Sequence, residues 1–238
     1  MSIYIPPEAI IADFIREKVT DPNSDREYVE GIDTILTTSP QTEFLISPPS
    51  GSVSHITSIE VNEAEINKWK DYYWDYKGSK VIINSDNVTI ESGDTVVINY
   101  KYSSTNWVYA DKPAKKLSYD AFPRVRVYKV SQTGERLGNY KTPVESSIRF
   151  QVDVWSKESQ VYTISGLGDD RSYSGEALAN ILSLNIRKEL EDNTDDLYPL
   201  FYDYDLNNLF LQGFDSEYQA FHYIYEFSIK STTSGIIN

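Results

Sequence analysis

The 238-residue chain carries 36 Asp and Glu against 22 Lys and Arg, a formal net charge of −14, with 40% hydrophobic residues and no Cys. That balance supports a packed core and repels the phosphates of nucleic acids and of anionic lipid surfaces. It also excludes disulfides, cysteine-ligated zinc and thiol catalysis. No basic leader with an apolar core opens the chain, and no run is apolar enough to cross a membrane. The expectation is a protein made in a cytoplasm and not inserted in a bilayer.

The first predicted element is a helix. Pro6 and Pro7 lead in, Glu8 suits the positive end of the helix dipole, and Ile11, Phe14, Ile15 and Val19 fall on one face before Asp21-Pro22-Asn23-Ser24 ends it. From about Gly31 the pattern changes to strands: Thr34–Thr38, Glu43–Ser47, Ser54–Val61, Lys80–Asn84 and Thr95–Tyr102, separated by Gly- and Pro-containing turns. Short strands with frequent turns predict an all-β, sandwich-like module over 31–110. The stretch from Ser103 to Asp120 reads as a connection.

A second module follows. A strand runs through Phe122-Pro123-Arg124-Val125-Arg126-Val127-Tyr128, and the polar stretch Ser131–Tyr140 reads as a hairpin or loop. In Ile148 to Trp155 the apolar residues Ile148, Phe150, Val152 and Val154 alternate with Arg149, Gln151 and Asp153, which predicts a half-buried strand. Ser165–Ser174 reads as a loop. Gly175–Leu190 is a helix capped by Ser174, with Leu178, Ile181, Leu182, Ile186 and Leu190 as its stripe and Arg187 and Lys188 near its end. Leu200–Tyr204 and Tyr218–Ser228 close the module, with Phe221, Tyr223, Tyr225 and Phe227 on one strand face. The expected architecture is α+β: an antiparallel sheet with two helices on one face, formed by 1–30 and 111–238, with 31–110 as an inserted domain.

Four stretches carry a resemblance to a known family: Phe122–Tyr128 with its opening Phe-Pro, Ile148–Trp155, Gly175–Leu190, and Tyr202-Asp203-Tyr204 followed by Tyr218–Ile229. In order and spacing they resemble the tail terminator proteins of long-tailed, lambda-like siphovirus phages. The likeness covers the first helix and everything after about Leu117; the short members have no counterpart of 31–110. The resemblance implies a structural virion protein rather than an enzyme. It would form a ring, typically hexameric, at the head-proximal end of the tail, and need no cofactor. Its partners would be further copies of itself, the tail tube protein and the head completion or connector protein, with viral DNA passing through the lumen unbound. The alternative is another neck adaptor, or a carbohydrate-binding decoration module of a virion.

Individual residues allow a functional and a plain reading. Tyr72, Trp74 and Tyr76 share a strand face, which is either a binding surface for sugar or protein or the packed side of a hairpin. Lys112, Lys115, Lys116, Arg124, Arg126 and Lys129 form a basic stretch that is either a ring contact or a solvated face. Arg124, Arg126, Tyr223 and Tyr225 join the aromatic cluster as candidate interface residues. His222 stands in a Tyr-rich strand without a sequence partner, and reads as a strand-face residue. Asp153 and Glu226 are carboxylates on separate strands, the minimum a glycosidase needs, though acidic strand faces are common. Asp203-Tyr204-Asp205 opens like a calcium loop, but the Gly and closing Glu that such a loop requires are replaced by Asn208 and Phe214.

Overall fold

The computed structural model describes residues 6–24, 26–75, 79–110, 122–136, 144–164, 171–198, 200–216 and 218–232. It is mostly β, with 51% in strands, two helices and several antiparallel sheets. In chain order the elements are α1 (Pro7–Lys18), β1 (Val29–Leu36), β2 (Glu43–Leu45), β3 (Ser52–Val61), β4 (Ala64–Glu65), β5 (Tyr72–Asp75), β6 (Lys80–Ile83), β7 (Thr95–Ser103) and β8 (Val108–Ala110). They continue with β9 (Arg124–Arg136), β10 (Val144–Ser156), β11 (Val161–Ile164), β12 (Arg171–Ser174), α2 (Gly175–Asp192), β13 (Tyr202–Asp215) and β14 (Ala220–Thr232). The chain divides into two compact units, Met1–Ser24 with Trp107–Asn238, and Asp25–Asn106.

The Asp25–Asn106 unit holds a four-stranded sheet in the order β1-β7-β3-β4 and a three-stranded sheet in the order β2-β6-β5. Alternation explains both. In β7 every second residue, Val96, Ile98 and Tyr100, is buried, and these pack with Phe44, Ile56, Ile59, Trp74, Val81 and Ile83 in one core. Gly31 in β1 is needed because the Tyr100 ring lies over it; a β-carbon there would meet Tyr100 Cε2 at 2.4 Å. Sequence alternation does not identify β4 as a strand, since it is two residues long.

The other unit is built on a five-stranded sheet, β13-β14-β10-β9-β8. Every pairing in it is antiparallel except the parallel join of β8 to β9. On one face lie Val125, Val127, Ile148, Phe150, Val152, Val154, Tyr225, Phe227 and Ile229, all fully or almost fully buried. Helix α1 packs on β8 and β9, and α2 packs on β10 and β14. Ile10, Ile11, Phe14 and Ile15 of α1 and Leu178, Leu182, Ile186 and Leu190 of α2 are the buried stripes, while Ile181 is only half-buried. Arg16, also buried, donates from Nε (3.0 Å) and Nη2 (2.6 Å) to the Val108 carbonyl, which ties α1 to β8.

Several expectations are corrected. The connection after Ser103 contains β8, which is three residues long and joins the sheet through a parallel crossover that no local period reveals. Of the two readings for the polar stretch from Ser131, the hairpin holds as far as the described residues reach: β9 continues to Arg136, paired with Val144–Arg149 of β10. Arg171–Ser174 leaves the expected loop to pair with β11. Ser174 occupies the cap position of α2, but its side chain makes no capping hydrogen bond. Arg187 and Lys188 pair with Glu191 and Asp192, each at 2.7 Å, rather than with the helix end.

Candidate functional site

The second face of the large sheet carries its charged groups. Strand alternation puts Arg124, Arg126, Gln151, Asp153, Trp155, His222 and Glu226 there, opposite the apolar face. Asp153, only 3% exposed, is the hub. Its Oδ1 accepts from Gln151 Nε2 at 2.6 Å, and its Oδ2 lies 3.6 Å from Arg126 Nη1, directly across on β9. His222 Nε2 stands 3.2 Å from Oδ1, out of line for a hydrogen bond, with its ring stacked on Trp155 at 4.5 Å and 13°. Glu226 pairs with Arg149 instead. Each carboxylate thus has its own cationic neighbour on an adjacent strand, and among the described residues no hydroxyl hydrogen-bonds to His222. The network ties β9, β10 and β14 together by charge.

Substituting Asp153 by Asn should therefore cost the sheet unit about 1–3 kcal/mol, because Arg126 loses its anion in a largely desolvated setting. A urea titration followed by Trp fluorescence checks this, and a midpoint equal to wild type would show that the cluster does not hold the strands.

Beside this network Arg124 is fully buried. Its guanidinium lies 4.2 Å from the Tyr218 ring and 4.9 Å from those of Phe122 and Trp155. Burial pushes the Arg124 pKa below its ordinary value, opposed by Tyr218, and the three ring faces supply cation–π attraction in place of water. Arg126 is seated 4.1 Å from the Tyr128 ring.

The candidate interface residues separate accordingly. Arg124 is interior, and Arg126 faces Asp153. Tyr225 is buried against the helices, where desolvation raises its pKa. Tyr223 is half-buried, with its hydroxyl 3.5 Å from Glu176. Tyr72 and Trp74 are each 2% exposed, inside the core of the Asp25–Asn106 unit, so they present no ring face to a sugar or a partner. Tyr76, Lys112, Lys115 and Lys116 lie outside the described residues. Of the basic stretch, Lys129 remains half-exposed, bonded to Gln132 at 3.1 Å.

Two further features were not read from the sequence. One is a groove of about 280 Å³ between the end of α1, α2 and β11. Its lysines are already engaged: Lys18 with Asp196 at 2.7 Å, a bond that raises the Lys18 pKa, and Lys188 with Asp192. The other is the pair of sheet margins. Strand β13 ends the sheet on one side with 14 residues, and β14 is covered on both sides by β13 and β10. On the opposite side β8 shields only Val125–Val127, so among the described residues Tyr128–Arg136 of β9 has one edge unpaired.

Comparison with protein-family models, with curated proteins and with solved structures finds no match to this chain. Among the described residues no three His, Asp or Glu side chains gather as a metal site, and no helix is long and apolar enough to cross a membrane.

Proposed function

We propose that this chain is a ring-forming structural protein of a tailed virion, of the tail-terminator kind. It caps the head-proximal end of the tail tube, stops tube growth, joins the tail to the head connector, and carries out no chemical turnover. Its subunit is an α+β layer with the all-β, sandwich-like module as an insertion. The sequence resemblance points to this role, and one structural observation supports it: among the described residues, the large sheet ends in two unlike open strand edges. Unlike edges make a head-to-tail contact, and such contacts close into a ring when the rotation per subunit divides the circle. The net charge of −14 suits a lumen past which DNA slides without sticking.

Purified chain, alone and mixed with tail tubes, tests this by light scattering and negative-stain electron microscopy. Rings, and tubes capped at one end with their growth arrested, are the expected result. A chain that stays monomeric in both conditions and leaves tube length unchanged overturns the reading.

A further inference from the structure

We infer that the ring contact is a sheet continued from copy to copy, in which the Tyr202–Asn208 part of β13 pairs antiparallel with Tyr128–Thr133 of β9 in a second copy of this chain. The inference rests on the ring reading above and assigns its interface.

The registers across the sheet carry the argument. Tyr202 pairs with Lys230, Lys230 with Ser147, and Ser147 with Thr133. One step on, Asp205, Ser228, Arg149 and Ser131 form a second row, and Asn208, Glu226, Gln151 and Tyr128 a third. The two segments, open among the described residues, are therefore the opposite ends of the same rows. Copies placed side by side without axial rise bring them together, as a closed ring requires. Three successive antiparallel joins separate β13 from β9, so the two run in opposite senses, and the seam between copies is antiparallel like the sheet it extends.

The edges are also suited chemically. Unpaired strand N–H and C=O groups recruit another strand unless Pro, Lys or a covering element blunts them. Strand β13 contains no Pro, Lys or Arg, and carries Asp203, Asp205 and Asp215. Within the seam the acids of β13 are Asp203 and Asp205 and the one charged residue of β9 is Lys129, opposite signs that favour the approach of the two margins. Val130, the extra residue of the β9 bulge, is 42% exposed there and gains cover from a neighbour. The irregularities at Tyr202/Asp205 and Asp205/Asn208 in β13, with the one in β9, break both edges into short twisted runs. That disfavours flat, open-ended stacking and leaves pairing to a partner of matching twist.

The test uses the absence of native Cys. Two double variants of the full chain, Ser131→Cys with Asp205→Cys and Thr133→Cys with Tyr202→Cys, each put thiols at both ends of one row. Within one copy the two positions are three strand spacings apart, about 14 Å, too far for a disulfide. Mild oxidation of the assembled protein should then give a covalent ladder on a denaturing gel that ends at the ring's subunit number and collapses on reduction. Each single variant should give none, and a mixture of the two singles should stop at the dimer. Rings that form normally but yield no ladder from either double variant overturn this interface and leave the ring reading standing. Wild-type chain that never assembles, with or without tail tubes, overturns both.

Discussion

Replacing Phe150 by Ala should remove about 3–5 kcal/mol from the sheet unit, the range found for deleting a buried aromatic side chain. Phe150 is fully buried at the centre of β10. Its ring stacks on Phe227 at 5.2 Å and meets Phe201 edge-on at 6.3 Å. Both partners are themselves fixed, Phe227 by β14 and Phe201 by the turn that follows α2, so the cavity has little freedom to collapse. Domains are stable by only about 5–15 kcal/mol, and a loss of this size lowers the denaturation midpoint of this unit severely. Trp107 and Trp155 report on it by fluorescence. The Asp25–Asn106 unit, reported by Trp69 and Trp74, should unfold where it does in wild type, since it is a compact unit with a core of its own. A shift of the sheet unit below about 1 kcal/mol would contradict the packing described. Under the ring assembly proposed above, the variant should also stop forming rings, because the edges that would join the copies belong to this sheet.

Phe150 was legible in the sequence because its strand alternates without interruption from Ile148 to Val154, and a half-buried strand has no other pattern. The two helices were legible for the same reason at period 3.6, and the residues the spacing picks out are buried but for half-buried Ile181; it does not pick out Ile10, Asp13 and Arg16 of α1 or Ala179 and Ser183 of α2, which are buried as well. Alternation failed where it carried no information on sides. It placed Tyr72 and Trp74 on one face without saying whether that face meets water or core. It gave Arg124 the look of an outward residue, since Val125 and Val127 point to the helices. Yet the second face is itself covered at that end, by Phe122, Trp155 and Tyr218. Two of these covering groups, Trp155 and Tyr218, come from segments distant in sequence, and no local period encodes them. The open margins were equally hidden. Whether a strand lies at an edge depends on sheet order, and β14, for all its regular aromatic pattern, is interior.

The same ambiguity makes Trp74 the position at which a binding role and a packing role separate. Its indole is 2% exposed on β5, in a core with Phe44, Ile56, Val81 and Ile98. Trp74→Ala should therefore cost the Asp25–Asn106 unit about 3–5 kcal/mol, visible as an early unfolding transition of Trp69 fluorescence in urea while Trp107 and Trp155 respond as in wild type. A ring that stacks on a sugar behaves in the opposite way. Its removal leaves stability within about 0.5 kcal/mol, as at an ordinary surface position, and abolishes ligand capture. Circular dichroism, the urea titration and a glycan array on the same preparation distinguish the two. The expected outcome is a destabilised unit and no glycan signal from wild type or variant. An unchanged unit together with a wild-type glycan signal that the variant loses would place Trp74 on a surface, and would return the Asp25–Asn106 unit to the role of a carbohydrate-binding module.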